Sequence, residues 1–150
     1  MKKLILITLI VLLGLTSLNA SAQKPADYKI TQIKILPFIE SRGVFEDEIT
    51  AADPRSFFND LDTSLFVTVA ISGPPGEFVV GRKVRINVTE GKRIKFSKTE
   101  QVGLIGEGGK YHVPVYLYGS MCDTVTITAS LLGQKTASKM TRKVEFQCGE

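Results

Sequence analysis

The chain has 150 residues, 43% of them hydrophobic and 23% charged, with 19 Lys and Arg against 15 Asp and Glu, two cysteines, one histidine and no tryptophan. That length and apolar content suit one domain with a buried core. A single histidine leaves little for nucleophilic triads or for most zinc sites, which set a histidine against particular partners.

Lys2 and Lys3 precede an apolar run from Leu4 to Leu15, broken only by Thr8 and Gly14, and Ala20-Ser21-Ala22 supplies the small residues a signal peptidase reads. Residues 1–22 are therefore expected to be a secretory signal peptide, cleaved before Gln23. The run falls short of the roughly twenty apolar residues that span a bilayer, and no cysteine stands at the cleavage site to carry a lipid anchor. The mature chain, 23–150, is expected to be a soluble bacterial protein, periplasmic or secreted, with no membrane span. Without Lys2 and Lys3 its formal charge falls from +4 to +2, so net charge gives no argument for nucleic acid. Two cysteines in an exported chain predict a Cys122–Cys148 disulfide. It would be worth about 3.5 kcal/mol if unstrained.

Beyond the signal the dominant hydrophobic period is two, which marks strands. Tyr28–Leu36 is the first, with a phase slip between Ile30 and Ile33 that predicts a bulge. The next stretch, 37–63, is too long for an ordinary connection and is a functional candidate for that reason. Asp53 as N-cap and Pro54 at the first helical position predict a short helix carrying Phe57, Phe58 and Leu61. Six carboxylates crowd 46–62. Of these, Asp60 and Asp62 with Asn59 form a weak calcium candidate, because no specific metal-binding spacing is present. No resident metal or cofactor is expected.

Ser64–Ser72 places Leu65, Val67, Val69 and Ile71 on one face, and Gly73-Pro74-Pro75-Gly76 then turns the chain. Lys83–Thr89 alternates Val84, Ile86 and Val88 with Lys83, Arg85 and Asn87. A tight connection at Gly91 leads to Ile94 and Phe96. Seven basic residues lie between Arg82 and Lys98 with only Glu90 opposing them. Strict alternation puts Lys83, Arg85 and Lys95 on one outward face. Tyr111–Tyr118 buries Tyr111, Val113, Val115 and Leu117 and turns His112, Tyr116 and Tyr118 outward. Thr124–Leu132 and Lys139–Cys148 close the set, giving about seven strands. Sheets with one apolar face each need a partner, so the fold class expected is an all-β sandwich with one long loop holding the short helix.

From Leu65 to Phe146 the strand order "LFVTVAI", "VVGRKVRINV", "GEGGKYHVPVYLYG", "DTVTITASLLG" resembles bacterial immunoglobulin-like domains of the invasin and intimin type. In that family, strands of the kinds G-x-V-x-V/F and tVtA recur in this order. The resemblance implies an immunoglobulin-like β-sandwich and brings no catalytic residues with it. The expected function is therefore a non-catalytic binding module, not an enzyme, engaging a protein partner. The alternative is recognition of a glycan or polyanion through hairpin 82–98. The partner-binding candidates are Phe57, Phe58, Lys83, Arg85, Lys95, Tyr116 and Tyr118.

Overall fold

The structure, a computed structural model, describes residues 26–58 and 62–148. The expected signal peptide and the calcium candidates Asn59 and Asp60 lie outside the described residues.

Nine strands and no helix are found among the described residues. They are β1 (Lys29–Ile39), β2 (Val44–Phe45), β3 (Ser56–Phe58), β4 (Thr63–Ser72), β5 (Lys83–Glu90), β6 (Arg93–Gln101), β7 (Lys110–Leu117), β8 (Val125–Leu132) and β9 (Lys139–Gln147). They form a four-stranded sheet in the order β2-β1-β4-β7 and a five-stranded sheet in the order β3-β9-β8-β5-β6. All pairings are antiparallel except β3 with β9, which is parallel.

Alternation in the sequence becomes burial in the fold. In β8, Val125, Ile127, Ala129 and Leu131 are buried while the threonines and serine between them face outward. Val67 and Val69 of β4, Val113 and Val115 of β7, and Val84, Ile86 and Val88 of β5 join the same core. Period-two burial is what a sheet covered on one face requires. The phase slip in β1 is a register shift between Ile30 and Gln32. It lets both Ile30 and Ile33 reach the core.

The expectation of about seven strands is corrected to nine, and the two additional strands both come from the long segment 37–63. The helix expected at Asp53 is not seen. Instead the Asp53 amide donates to the Thr50 hydroxyl at 3.0 Å, and the chain then runs extended as β3. Its Phe57 ring is buried and stacked on Phe146, centroids 5.0 Å apart. Burying a large ring against another ring outweighs a capping preference worth about 1 kcal/mol.

The same segment closes one side of the sandwich. Its start folds back on β1 as β2, Ile49 buries beneath it with its amide on the Ile35 carbonyl (3.0 Å), and Arg142 of β9 donates to the Ile49 carbonyl (2.9 Å). Arg82 also proves structural. It is buried beneath the Tyr28 ring, 4.8 Å from its centroid, and reaches Asp27 at 3.4 Å. The Cys122–Cys148 disulfide is formed, with Cα atoms 4.8 Å apart. It ties the β7–β8 connection to the end of β9.

Candidate functional site

The long segment closes the β1/β9 side, and the opposite side ends in two free edges, β7 in one sheet and β6 in the other. The connection from β6 to β7 crosses this side at one end and buries Val102 and Ile105. At the other end it stays open as a cleft of about 310 Å³. Val88, Leu117, Met121 and Val125 form its apolar floor, and Phe96, Tyr116, Tyr118 and Lys95 stand around it.

A bulge in β6 sets the geometry of the cleft. Val88 pairs with Phe96, but its neighbour Thr89 pairs with Ile94, so Lys95 is the extra residue. A bulge re-aims the side chain it carries. Lys95 is thereby taken off the outward face and reaches the Ser120 carbonyl at 2.9 Å and Glu90 at 3.1 Å. The outward grouping of Lys83, Arg85 and Lys95 is therefore corrected: Lys83 and Arg85 stay on the outer face, and Lys95 turns to the cleft.

Glu90 organises this corner. It is buried, and it accepts from Arg93 at 2.7 Å and from the Cys122 amide at 2.6 Å in addition to Lys95. Burial pushes its carboxyl pKa up, but the Arg93 hydrogen bond, the Cys122 amide and Lys95 together outweigh it and hold the value at about 2. A carboxylate with that many donors stays charged. One anion thus fixes the β5–β6 turn, the bulge and the disulfide-bearing connection in one arrangement.

The outer face of the four-stranded sheet carries a second feature, continuous with the cleft. Phe38 lies opposite Phe45 in the β1–β2 pairing, with ring centroids 5.0 Å apart, and Phe45 meets Phe66 edge-on at 6.0 Å. Phe66 lies opposite Tyr116 in the β4–β7 register. Tyr116 stacks with Tyr118 at 5.9 Å. The result is a row of five aromatic rings running across all four strands. Phe45, Tyr116 and Tyr118 are 57%, 45% and 75% exposed. Farther along the same face the residues become Thr68, Pro114 and His112, so the apolar patch is confined to one end.

Of the residues expected to meet a partner, the structure brings together Tyr116, Tyr118 and Lys95. Lys83 and Arg85 lie on the outer face of the other sheet. Phe57 is corrected to a core residue, held by its stacking on Phe146. The backbone of Phe58 pairs with Gln147. Asp62, the described member of the calcium trio, accepts from the Ser41 amide at 2.7 Å. The acidic segment does not fold onto the basic hairpin, because β3 and β6 are opposite edges of the same sheet. Its charges are met locally, Glu46 by Arg42 and Arg55, and Glu48 by Lys34. Sequence reasoning missed Phe38, Phe45 and Phe66. Phe66 was readable as the outward residue between Leu65 and Val67, whereas joining it to Phe38 and Phe45 needed the strand register.

The chain matches no protein-family model, and no curated protein matches it.

Proposed function

We propose that this chain is an exported, non-catalytic binding module that docks another protein through the aromatic row and the adjoining cleft. The observation that carries the reading is the aromatic row itself: the ring contacts Phe38–Phe45–Phe66 and Tyr116–Tyr118, brought side by side by the Phe66–Tyr116 register, with Phe45, Tyr116 and Tyr118 open to solvent. Contiguous exposed apolar surface on a small protein marks an interaction site, and tyrosine is among the residues that dominate such contacts.

The immunoglobulin-like reading draws support from topology. With β1, β4 and β5 lettered A, B and C, β6 lettered C′, and β7, β8 and β9 lettered E, F and G, the sheets read A-B-E and G-F-C-C′. The grouping of A-B-E against G-F-C agrees with the immunoglobulin partition, while a D strand beside E is absent among the described residues and β2 and β3 are added at the far edges. The disulfide suits an oxidising compartment, and the apolar N-terminus suits secretion.

The test is capture from native envelope extract by the unmodified protein and by the Tyr116→Ala/Tyr118→Ala variant, with melting curves to confirm both are folded. A protein retained by the first and lost by the second is the expected result. Identical captured sets would end the proposal. A concentration-dependent dimer that the double variant abolishes would assign the row to a second copy of this chain instead.

A further inference from the structure

The outer face of the five-stranded sheet differs in chemistry from that of its partner sheet. Its rows can be read off the register. One runs Thr99–Arg85–Ser130–Lys139 across β6, β5, β8 and β9, and the next runs Ser97–Asn87–Thr128–Thr141. Beyond them Lys143 lies opposite Thr126, and Lys83 precedes Arg85 on the same face. The surface is thus a plane of hydroxyl and amide groups set with four cations. Lys83, Arg85, Lys139 and Lys143 are all exposed, and none of them makes an ion pair among the described residues. Among the described strand residues the acid on this face is Glu145, at the end of β9, where it accepts from the Thr124 hydroxyl at 2.6 Å.

We propose that this face binds an acidic polysaccharide, a linear polymer of carboxylated or sulfated sugars laid across the strands. Four unpaired cations give the charge complementarity. Strand geometry spaces them widely: Arg85 and Lys139 stand two strands apart, about 10 Å, and Lys139 and Lys143 four residues apart, about 13 Å. Cations so spread do not converge on a small anion, but they suit a polymer whose negative groups recur along its length. The Ser, Thr and Asn side chains between them donate and accept hydrogen bonds, as sugar hydroxyls require. Among the described side chains of this face there is no aromatic platform on which nucleic-acid bases could stack. An edge-protection role accounts for charge on β6 itself, where the inward Lys98 and Glu100 pair with each other. It accounts also for charge on the part of β9 before Glu145, which β3 does not cover, but not for Lys83 and Arg85 on β5, which is paired on both sides along its length.

The experiment measures binding of the disulfide-bonded protein to immobilised polygalacturonate and to heparin, with dextran as the neutral control. Binding to both acidic polymers and not to dextran is expected, weakening at least about tenfold between low salt and about 0.3 M salt. Arg85→Glu/Lys139→Glu should lose at least about tenfold in affinity, and Arg85→Lys/Lys139→Arg should keep it, since the sites are separate point charges and not bidentate clamps. The single substitutions Lys139→Gln and Lys143→Gln, both at exposed positions, give graded losses should the double reversal fail to fold. Four results would each overturn the proposal: no binding to either acidic polymer, equal retention on dextran, equal loss on Lys92→Glu at the hairpin tip, or equally tight binding to duplex DNA or to anionic vesicles. Because Tyr116→Ala/Tyr118→Ala lies on the other sheet, it should leave polymer binding unchanged, so this inference and the protein-docking reading fail separately.

Discussion

Glu90 shows how much of the candidate site rests on one side chain. Three donors converge on it, two of them cations, from the turn, the bulge and the disulfide-bearing connection. Its carboxyl titrates at about 2 in the folded chain against an ordinary value of 4.5. The depressed value means the folded state favours the charged form. Its stabilisation is therefore fully present above pH 4.5 and is lost as the pH falls from there toward 2. Glu90→Gln should cost about 2 kcal/mol at neutral pH, less than the full linkage value because Arg93 is largely solvated. Urea unfolding of both proteins across the acid range checks this. The difference between them should shrink steadily below pH 4.5, and a gap that stays constant down to about pH 2 would show that the carboxylate charge is not the source. The same substitution should loosen the cleft, because Lys95 and the Cys122 amide lose their common anchor.

At the scale of the element, β8 tests the face assignment most directly. Val125 is buried between the sheets, whereas Thr126 faces outward between Thr89 and Lys143. Val125→Asp places an unpaired charge in the core and should unfold the domain. Thr126→Asp, beside Lys143, should stay within about 1 kcal/mol of the parent. Circular dichroism and melting of the two variants give the answer, and equal damage would mean the two faces are exchanged. Such faces were legible in the sequence because strand alternation is local: β4, β5, β7 and β8 appear where their hydrophobic residues repeat every second position, and the bulge in β1 appears as a slip of that repeat. What was not legible depends on partners distant in the chain. Phe57 reads as a helix-borne anchor until Phe146, its stacking partner, is brought beside it by a parallel pairing. Lys95 reads as outward until the bulge against Val88 and Thr89 displaces it. The aromatic row draws on residues of four strands, and only their register joins them. Lys139 and Lys143 alternate with Thr141 in the sequence, a signal that could have been read as an outward basic face, but the row they complete with Arg85 runs through β8.

The whole molecule places its two candidate surfaces on opposite sides of one core. Sheets in a sandwich pack about 10 Å apart with their outer faces turned away from each other. The aromatic row lies on the outer face of one sheet, and the unpaired cations lie on the outer face of the other. No side chain belongs to both, and the core between them is closely packed with buried aliphatic residues. Coupling between two sites requires that each ligand favour a different arrangement of some shared element. Here no second arrangement is evident, because the disulfide, Glu90 and the long segment all brace the same packing. The two surfaces should therefore act independently. Saturation with polygalacturonate should leave capture of the protein partner unchanged to within about twofold. Arg85→Glu/Lys139→Glu should retain that partner, and Tyr116→Ala/Tyr118→Ala should retain the polymer. A ternary complex seen by sedimentation, with a mass equal to both ligands bound, would establish the arrangement as a bridge between an acidic polymer and a protein. Competition between the two ligands would mean that they share one face, and the division of labour between the sheets would have to be abandoned. The cleft would then be the first place to look, because it is where the free edges of both sheets, β6 and β7, come closest to a single site.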